Sequence, residues 1–285
     1  MAVHGAVGLP NVGDYGDPLL LVELARAAEA AGWAGAFVWD HVAYREPGWP
    51  VADPYVTVAA IAAQTERIRL GVLVSAVARR RPSKLARELA SLDVLSGGRL
   101  VVGAGLGSQG EEEFAAFGED PDPKVRARKL DEGLAVLDGL WRGEPFSYEG
   151  EHVRVRDALP FLPRPLQRPR PPVWVAGRWP APRPFRRAAR WDGVFPTFAG
   201  VPRDGMPSPE QLAEVVAFTR EVRADAGIAA DLPYDVVLEG VSDGPDAARV
   251  APYEQAGLTW WVEKLGWFRG PLEQMRARIE AGPPV

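Results

Sequence analysis

Few side chains in this sequence can do chemistry, and their scarcity narrows the reading. There is no cysteine, so disulfides, thiolate nucleophiles and cysteine-held metals are excluded. His4, His41 and His152 are scattered, with no H-x-H or H-x-x-x-H pair to seed a metal site. Of the three, His41 is the candidate: it follows Asp40 at the end of an apolar run, AFVWDH. An imidazole gives or takes a proton near neutral pH, and the adjoining carboxylate could orient the ring or cap the next turn. A second candidate is VVGAGLGSQGEEEF, residues 101–114, where Gly103, Gly105 and Gly107 alternate and would let backbone amides approach an anion. Ser108 and Gln109 separate Gly107 from Gly110, so the spacing is not that of a dinucleotide loop. Arg79, Arg80 and Arg81 form a charge run, expected first as a solvated face and second as a phosphate holder. Glu239 ends another apolar run and is a further acid. Trp39, Trp260 and Trp261 could wall an apolar pocket, with at least one of them ordinary core.

The elements that would position these residues are short apolar runs alternating with helix-period segments. Strands are predicted near His4 and over 34–40, 67–77, 99–105, 171–177, 192–198, 234–242 and 258–265. Between them lie helices over 18–32, 53–66, 82–98, 124–141, 184–191, 208–227 and 243–257, and a last helix closes the chain. Asp53-Pro54 and Ser208 read as helix starts; Gly32 and the Gly97-Gly98 pair read as stops. Eight βα units with near-continuous apolar strands predict a (β/α)8 TIM barrel, with a doubly wound open sheet as the alternative. The chain, 1–285, reads as one domain with one insertion, 143–172. FSYEGEHVRV suggests a hairpin turning at Glu149-Gly150, and the proline-rich remainder a loop over the barrel rim, either a lid or a plain surface insertion.

Composition sets outer limits. With 285 residues, 47% hydrophobic and 25% charged, the chain can bury a large core. A net charge of -5 argues against a nucleic-acid footprint or a basic membrane surface. No apolar run reaches spanning length and the N-terminus lacks the pattern of a signal peptide, so a cytoplasmic protein with no membrane partner is expected.

Three stretches, AEAAGWAGAFVWDH (28–41), LGVLVSAVARRRPSKLARELASLDVLSGGRLVVGAGLG (70–107) and RARKLDEGLAVLDGLWRGEPFSYEGEH…PRPLQRPRPPVWVAG (126–177), resemble the bacterial-luciferase-like monooxygenase family, and RRAARWDGVFP (186–196) continues the match. The resemblance implies a TIM barrel that binds FMN or coenzyme F-420 at its C-terminal mouth and acts on a small organic substrate. With reduced FMN it implies oxygen activation and a separate flavin reductase; with F-420 it implies hydride transfer. It makes His41 the catalytic histidine, with Asp40 beside it. It puts the cofactor ring near a bulge after the third strand, often with a non-proline cis peptide, which falls here within Leu73, Val74 and Ser75. It assigns Gly103, Gly105 and Gly107 to the cofactor, and Gly177 with Arg178 to its phosphate, although the second glycine usual at that turn is missing. A homodimer is one assembly compatible with the resemblance, and the sequence leaves the oligomeric state open. Some deazaflavin sugar-phosphate dehydrogenases of the family carry a catalytic glutamate directly after the glycine pattern; Ser108 stands there, and Glu111 to Glu113 come later, which argues against that substrate class. A non-catalytic flavin-binding homologue is the alternative. A metal-dependent barrel hydrolase is disfavoured by the scarcity of histidine.

Overall fold

The computed structural model describes residues 2–285. Along the chain lie β1 (His4–Leu9), α1 (Pro18–Ala30), β2 (Gly35–Val38), α2 (Pro54–Gln64), β3 (Arg69–Ala76), α3 (Pro82–Leu95), β4 (Leu100–Gly105), α4 (Gly110–Glu113) and α5 (Pro123–Trp141). They are followed by β5 (Phe146–Glu149), β6 (Arg154–Ala158), β7 (Val173–Trp179), α6 (Pro182–Ala188), β8 (Gly193–Phe198), α7 (Pro209–Asp225), β9 (Asp235–Gly240), α8 (Ala247–Gln255), β10 (Trp260–Lys264) and α9 (Leu272–Glu280). Eight parallel strands close a barrel in the order β1-β10-β9-β8-β7-β4-β3-β2, and β5-β6 forms a separate hairpin. The expected TIM barrel is therefore the fold, and the open-sheet alternative is excluded by closure.

The strands are apolar on both faces because both faces are covered. Alternate residues point inward: Phe37, Val101, Trp174, Val237 and Trp260 fill the barrel, while Val38, Val102, Val173 and Trp261 meet the helices. The rings of Phe37, Trp174 and Trp260 lie 5.3–6.2 Å apart between centroids. Trp260 and Trp261 are thus both core, one inside the barrel and one outside, where it packs on Tyr253 at 5.9 Å.

Helix starts repeat one device: proline in the first turn, preceded by a residue whose side chain accepts a freed backbone N–H. Asp17, Asp53, Asp122 and Ser208 cap α1, α2, α5 and α7 in this way. Several helices stop a little short of a glycine: α3 ends at Leu95, and Gly97 and Gly98 turn the chain with φ of 65° and 84°.

The insertion 143–172 is no lid on the mouth. Asp93, buried near the C-terminal end of α3, accepts the N–H groups of Leu166 (2.6 Å) and Gln167 (3.0 Å) and the Gln167 side-chain amide (2.7 Å). Gln167 also donates to the Leu100 carbonyl where β4 begins, and accepts from Arg69 where β3 begins. The proline-rich segment therefore crosses the N-terminal end of the barrel. Its hairpin is held on α5 by Glu132, which accepts the N–H groups of Glu151, His152 and Val153.

Candidate active site

A cavity of about 680 Å3 opens at the C-terminal ends of the barrel strands. One side is built by the ends of β3, β4 and β7: Leu73, Val74, Gly105, Gly107, Gly177 and Arg178. The other is built by the ends of β2, β9 and β10 and the loop after β8: Trp39, His41, Leu238, Glu239, Lys264 and Arg203. Phe195 and Phe198 add apolar surface between them.

The β3 side carries the expected irregularity. The β3–β4 register shifts between Val72 and Ser75, and the Leu73–Val74 peptide is cis. Leu73 and Val74 line the cavity, but Ser75 does not: its hydroxyl is buried on the outer face of the barrel, 2.6 Å from the Tyr55 hydroxyl of α2. Along β4 the alternating glycines also divide. Gly105 and Gly107 line the cavity, whereas Gly103 sits deeper in the wall, where a Cβ would come within 2.3 Å of the Val72 carbonyl and 2.5 Å of Leu73. Gly103 thus marks a close approach of two strands and does not line the cavity. Gly107, at φ +77°, makes the turn out of β4, where an added Cβ would meet Phe114 at 2.8 Å.

His41 is held from behind. Its Nδ1 lies 3.1 Å from Oε1 of Glu113 and 3.3 Å from the Gln109 side-chain nitrogen, while Nε2 has no protein partner among the described residues. Glu113 is fully buried and also accepts the Val42 N–H at 2.9 Å. With the Nδ1 proton donated to this carboxylate, the neutral ring keeps its lone pair on Nε2. Glu113 was not singled out among the three glutamates. Gln109, at φ 49°, starts the short α4, whose single turn brings the third glutamate back to His41 from 72 residues away.

Asp40 corrects the expectation of a catalytic Asp-His pair. Its carboxylate turns away from His41 and takes Arg79 and Arg80 at 2.7 Å each, with the Ala76 N–H at 2.9 Å. It ties the end of β2 to the end of β3. The arginine run accordingly splits: Arg79 and Arg80 are largely buried ion-pair partners, and Arg81 alone is the exposed residue expected of all three. Burial lowers the Arg80 pKa and the Asp40 charge raises it; the net shift is upward, so the guanidinium stays charged.

An aromatic wall rises beside His41. Tyr44 lies 5.0 Å from the imidazole, Trp39 6.0 Å, and Trp267 and Phe268 pack on Trp39. Arg203 is set against it, with its guanidinium 5.3–5.7 Å from the centroids of Trp39, Trp267 and Phe268 and donating to the Tyr44 hydroxyl at 2.9 Å. Arg178, exposed at the other side, has no side-chain partner among the described residues. Desolvation raises the Glu239 pKa, with Lys264 and Arg203 opposing it, and desolvation lowers that of Lys264.

Such a site defines the class: a TIM barrel with a roomy, mostly apolar cavity at its C-terminal mouth, a fixed imidazole at one side and a free arginine at the other. The chain belongs to the luciferase-like monooxygenase family, a family of oxidoreductases, whose model matches residues 8–252. It is 32% identical over 194 residues to the F420-dependent glucose-6-phosphate dehydrogenase of Tsukamurella paurometabola, covering 66% of this chain and 52% of that protein. It is 30% identical over 165 residues to the oxygenase component of a flavin-dependent trigonelline monooxygenase of Acinetobacter baylyi, covering 58% of this chain and 44% of that protein. The matched part thus spans about half the length of these two relatives. The fold is that of monooxygenase RslO1 from Streptomyces bottropensis, with a TM-score of 0.76 at 24% identity, over 98% of this chain and 97% of that one. No helix among the described residues is long and apolar enough to cross a membrane.

Proposed function

We propose that this chain is a luciferase-like oxidoreductase that uses FMN or coenzyme F-420 on a small organic substrate. The carrying observation is the cavity of about 680 Å3, in which an apolar strand bulge and an unpartnered arginine face a fixed histidine. The residues fit such a cofactor. Leu73 and Val74 offer apolar surface to a ring system, Gly105, Gly107 and Gly177 leave backbone exposed to it, and Arg178 is a free cation for a phosphate. When bound, FMN supplies oxygen activation and F-420 supplies hydride exchange.

The chain's own contribution is position, water exclusion and a proton site. His41 can take or give a proton at Nε2, and Glu113 fixes its tautomer and stabilises the charged ring. Trp39, Phe195 and Phe198 keep water from the reacting face. If FMN is the cofactor, a separate reductase in the cytoplasm delivers it reduced.

Titration of the purified protein with FMN and with F-420, each oxidised and reduced, tests this by fluorescence. Saturable binding of one of them is expected, and binding of neither overturns the reading. Preference for reduced FMN makes the enzyme a monooxygenase; binding of F-420 alone makes it a hydride-transfer enzyme.

A further inference from the structure

The cavity wall facing the proposed cofactor side carries charges that the protein leaves open. Glu239 stands beside Val262 in the β9–β10 register, two residues before Lys264. Both therefore share the inward-pointing face, with their Cα atoms roughly 8 Å apart by strand geometry. They form no ion pair within 4.0 Å, with each other or with any other described residue, although both line the cavity. The Lys264 ammonium is buried and makes one hydrogen bond, to the Gly205 carbonyl at 3.1 Å, which leaves two donors unused. Glu239 accepts no hydrogen bond from a described residue. Arg203, on the loop above, has the Tyr44 hydroxyl and aromatic faces around it but no carboxylate.

Two other buried carboxylates in this chain are treated differently. Glu263, next to Lys264 but pointing outward, is held by Arg269, Arg278, Ser242 and Trp261. Asp40 has two arginines. A half-buried carboxylate without a donor, beside an ammonium without an acid, is unfavourable until something arrives that satisfies both. The sum over the lining residues Arg203, Lys264 and Glu239 is one positive charge, which a monoanion neutralises; Asp204, which also acts on Lys264, is exposed to solvent and does not line the cavity.

Resting on the cofactor reading above, we propose that this wall is the substrate subsite and that its ligand is a small hydroxy acid. Its carboxylate accepts from Lys264 and Arg203, and a hydroxyl within two or three bonds of it donates to Glu239. A neutral alcohol would leave Lys264 uncovered. A plain carboxylic acid would leave Glu239 without a donor. A zwitterionic amino acid would leave the positive charge unbalanced.

The test is a set of dissociation constants, by tryptophan fluorescence, for protein loaded with whichever cofactor binds. The probes are 2-hydroxybutyrate and 2-hydroxyoctanoate, each against the plain acid and the 1,2-diol of the same length. At one chain length or both, the hydroxy acid is expected to bind about tenfold tighter than either control. Lys264→Met should erase the advantage over the diol, and Glu239→Gln should shrink that over the plain acid, both with unchanged cofactor affinity. Equal affinity for all three probe types at both lengths, or a preference that survives Lys264→Met, overturns the proposal. The wild-type comparison needs no variant, so a misfolded variant cannot shield it. Failure to bind any cofactor is a separate result that overturns the parent reading instead.

Discussion

At the N-terminal end of the barrel, the buried Asp93 carboxylate accepts three hydrogen bonds and ties the insertion to the start of β4. At the C-terminal mouth, Glu239 accepts none from any described residue. Glu29, at the foot of the α2–β3 connection, accepts the N–H groups of Glu66, Arg67 and Ile68, and Arg99 beside it donates to the carbonyls of Ala62, Thr65, Ile68 and Ser96. At the mouth, among the described residues, Arg178 has no side-chain partner and Lys264 makes one hydrogen bond, to the Gly205 carbonyl. The two ends use the same residue types to opposite effect. At the foot, Asp93, Glu29 and Arg99 are satisfied by the protein and support the fold; at the mouth, Arg178, Lys264 and Glu239 keep open hydrogen-bonding capacity. The mouth is not uniformly open: Asp40 with Arg79 and Arg80, and Glu263 with Arg269 and Arg278, are closed knots that hold strand ends in place.

The strongest way to break this contrast is Asp93→Ala. Two backbone N–H groups and a side-chain amide would lose their acceptor at a buried site, and a loss of about 3 kcal/mol in unfolding free energy is expected from urea denaturation. Cofactor affinity should not move, because the mouth lies at the other end of the barrel. A matching loss of cofactor binding in the folded variant would show that the two ends are coupled. Arg178→Ala is the mirror experiment. It should weaken binding of the phosphate-bearing cofactor about tenfold. Urea stability should be unchanged, since the side chain makes no contact that folding depends on. A stability loss without an affinity loss would reassign Arg178 to the fold.

Glu29→Gln probes the foot more gently. Burial raises the Glu29 pKa, but the N–H donors of Arg67, Ile68 and Glu66 with the charge of Arg67 outweigh it, and the net shift is downward from 4.5. A carboxylate with a lowered folded pKa stabilises the fold above its unfolded pKa, and that contribution is lost as pH falls through the folded value. Glutamine keeps an acceptor oxygen and loses only the charge, so after allowance for solvent screening the cost at pH 7 is about 1 kcal/mol. The gap between wild type and variant should narrow once pH drops below 4.5. A gap that is flat across pH would mean the charge contributes nothing there.

Much of the barrel was legible because its signals are local. Proline and acidic caps start the helices, glycine follows their ends, and apolar runs mark the strands within a few residues of where they lie. The insertion's hairpin was equally local, but its side of the barrel depends on Asp93 meeting Leu166 and Gln167, 73 and 74 residues away, and no pattern in either stretch announces it. At the site, the place of His41 followed from its strand end, while its partner did not. Asp40 is adjacent in sequence, yet successive residues at a strand end point to opposite sides, and it faces Arg79 and Arg80 instead. Glu113 reaches His41 through the left-handed turn at Gln109, which an L-residue seldom adopts and a sequence does not advertise. The family resemblance places Ser75 and Gly103 at the mouth; strand alternation and the tight β3–β4 contact put them elsewhere.

The sharpest form of the contrast is the smallest effect. Burial raises the Glu239 pKa, and Lys264 and Arg203 only partly offset it. The sign is the reverse of that at Glu29. Below the ordinary value of 4.5 the carboxyl is protonated in both folded and unfolded chains and makes no difference. As pH rises above 4.5, the unfolded chain releases the proton readily and the folded chain resists, so wild-type stability falls until the folded pKa is passed. Glu239→Gln removes that liability. The variant should be more stable than wild type at neutral pH by about 0.5–1 kcal/mol after discounting for screening, with the gain vanishing at acid pH. Charge removal thus has opposite consequences at the two ends: glutamine in place of Glu29 weakens the fold, and glutamine in place of Glu239 strengthens it. A stabilising loss of a carboxylate is what a group kept for a ligand produces, because its compensation comes with binding and not with folding. If Glu239→Gln instead destabilises at neutral pH, Glu239 already has a partner inside the protein, and the division between a closed foot and an open mouth does not extend to it.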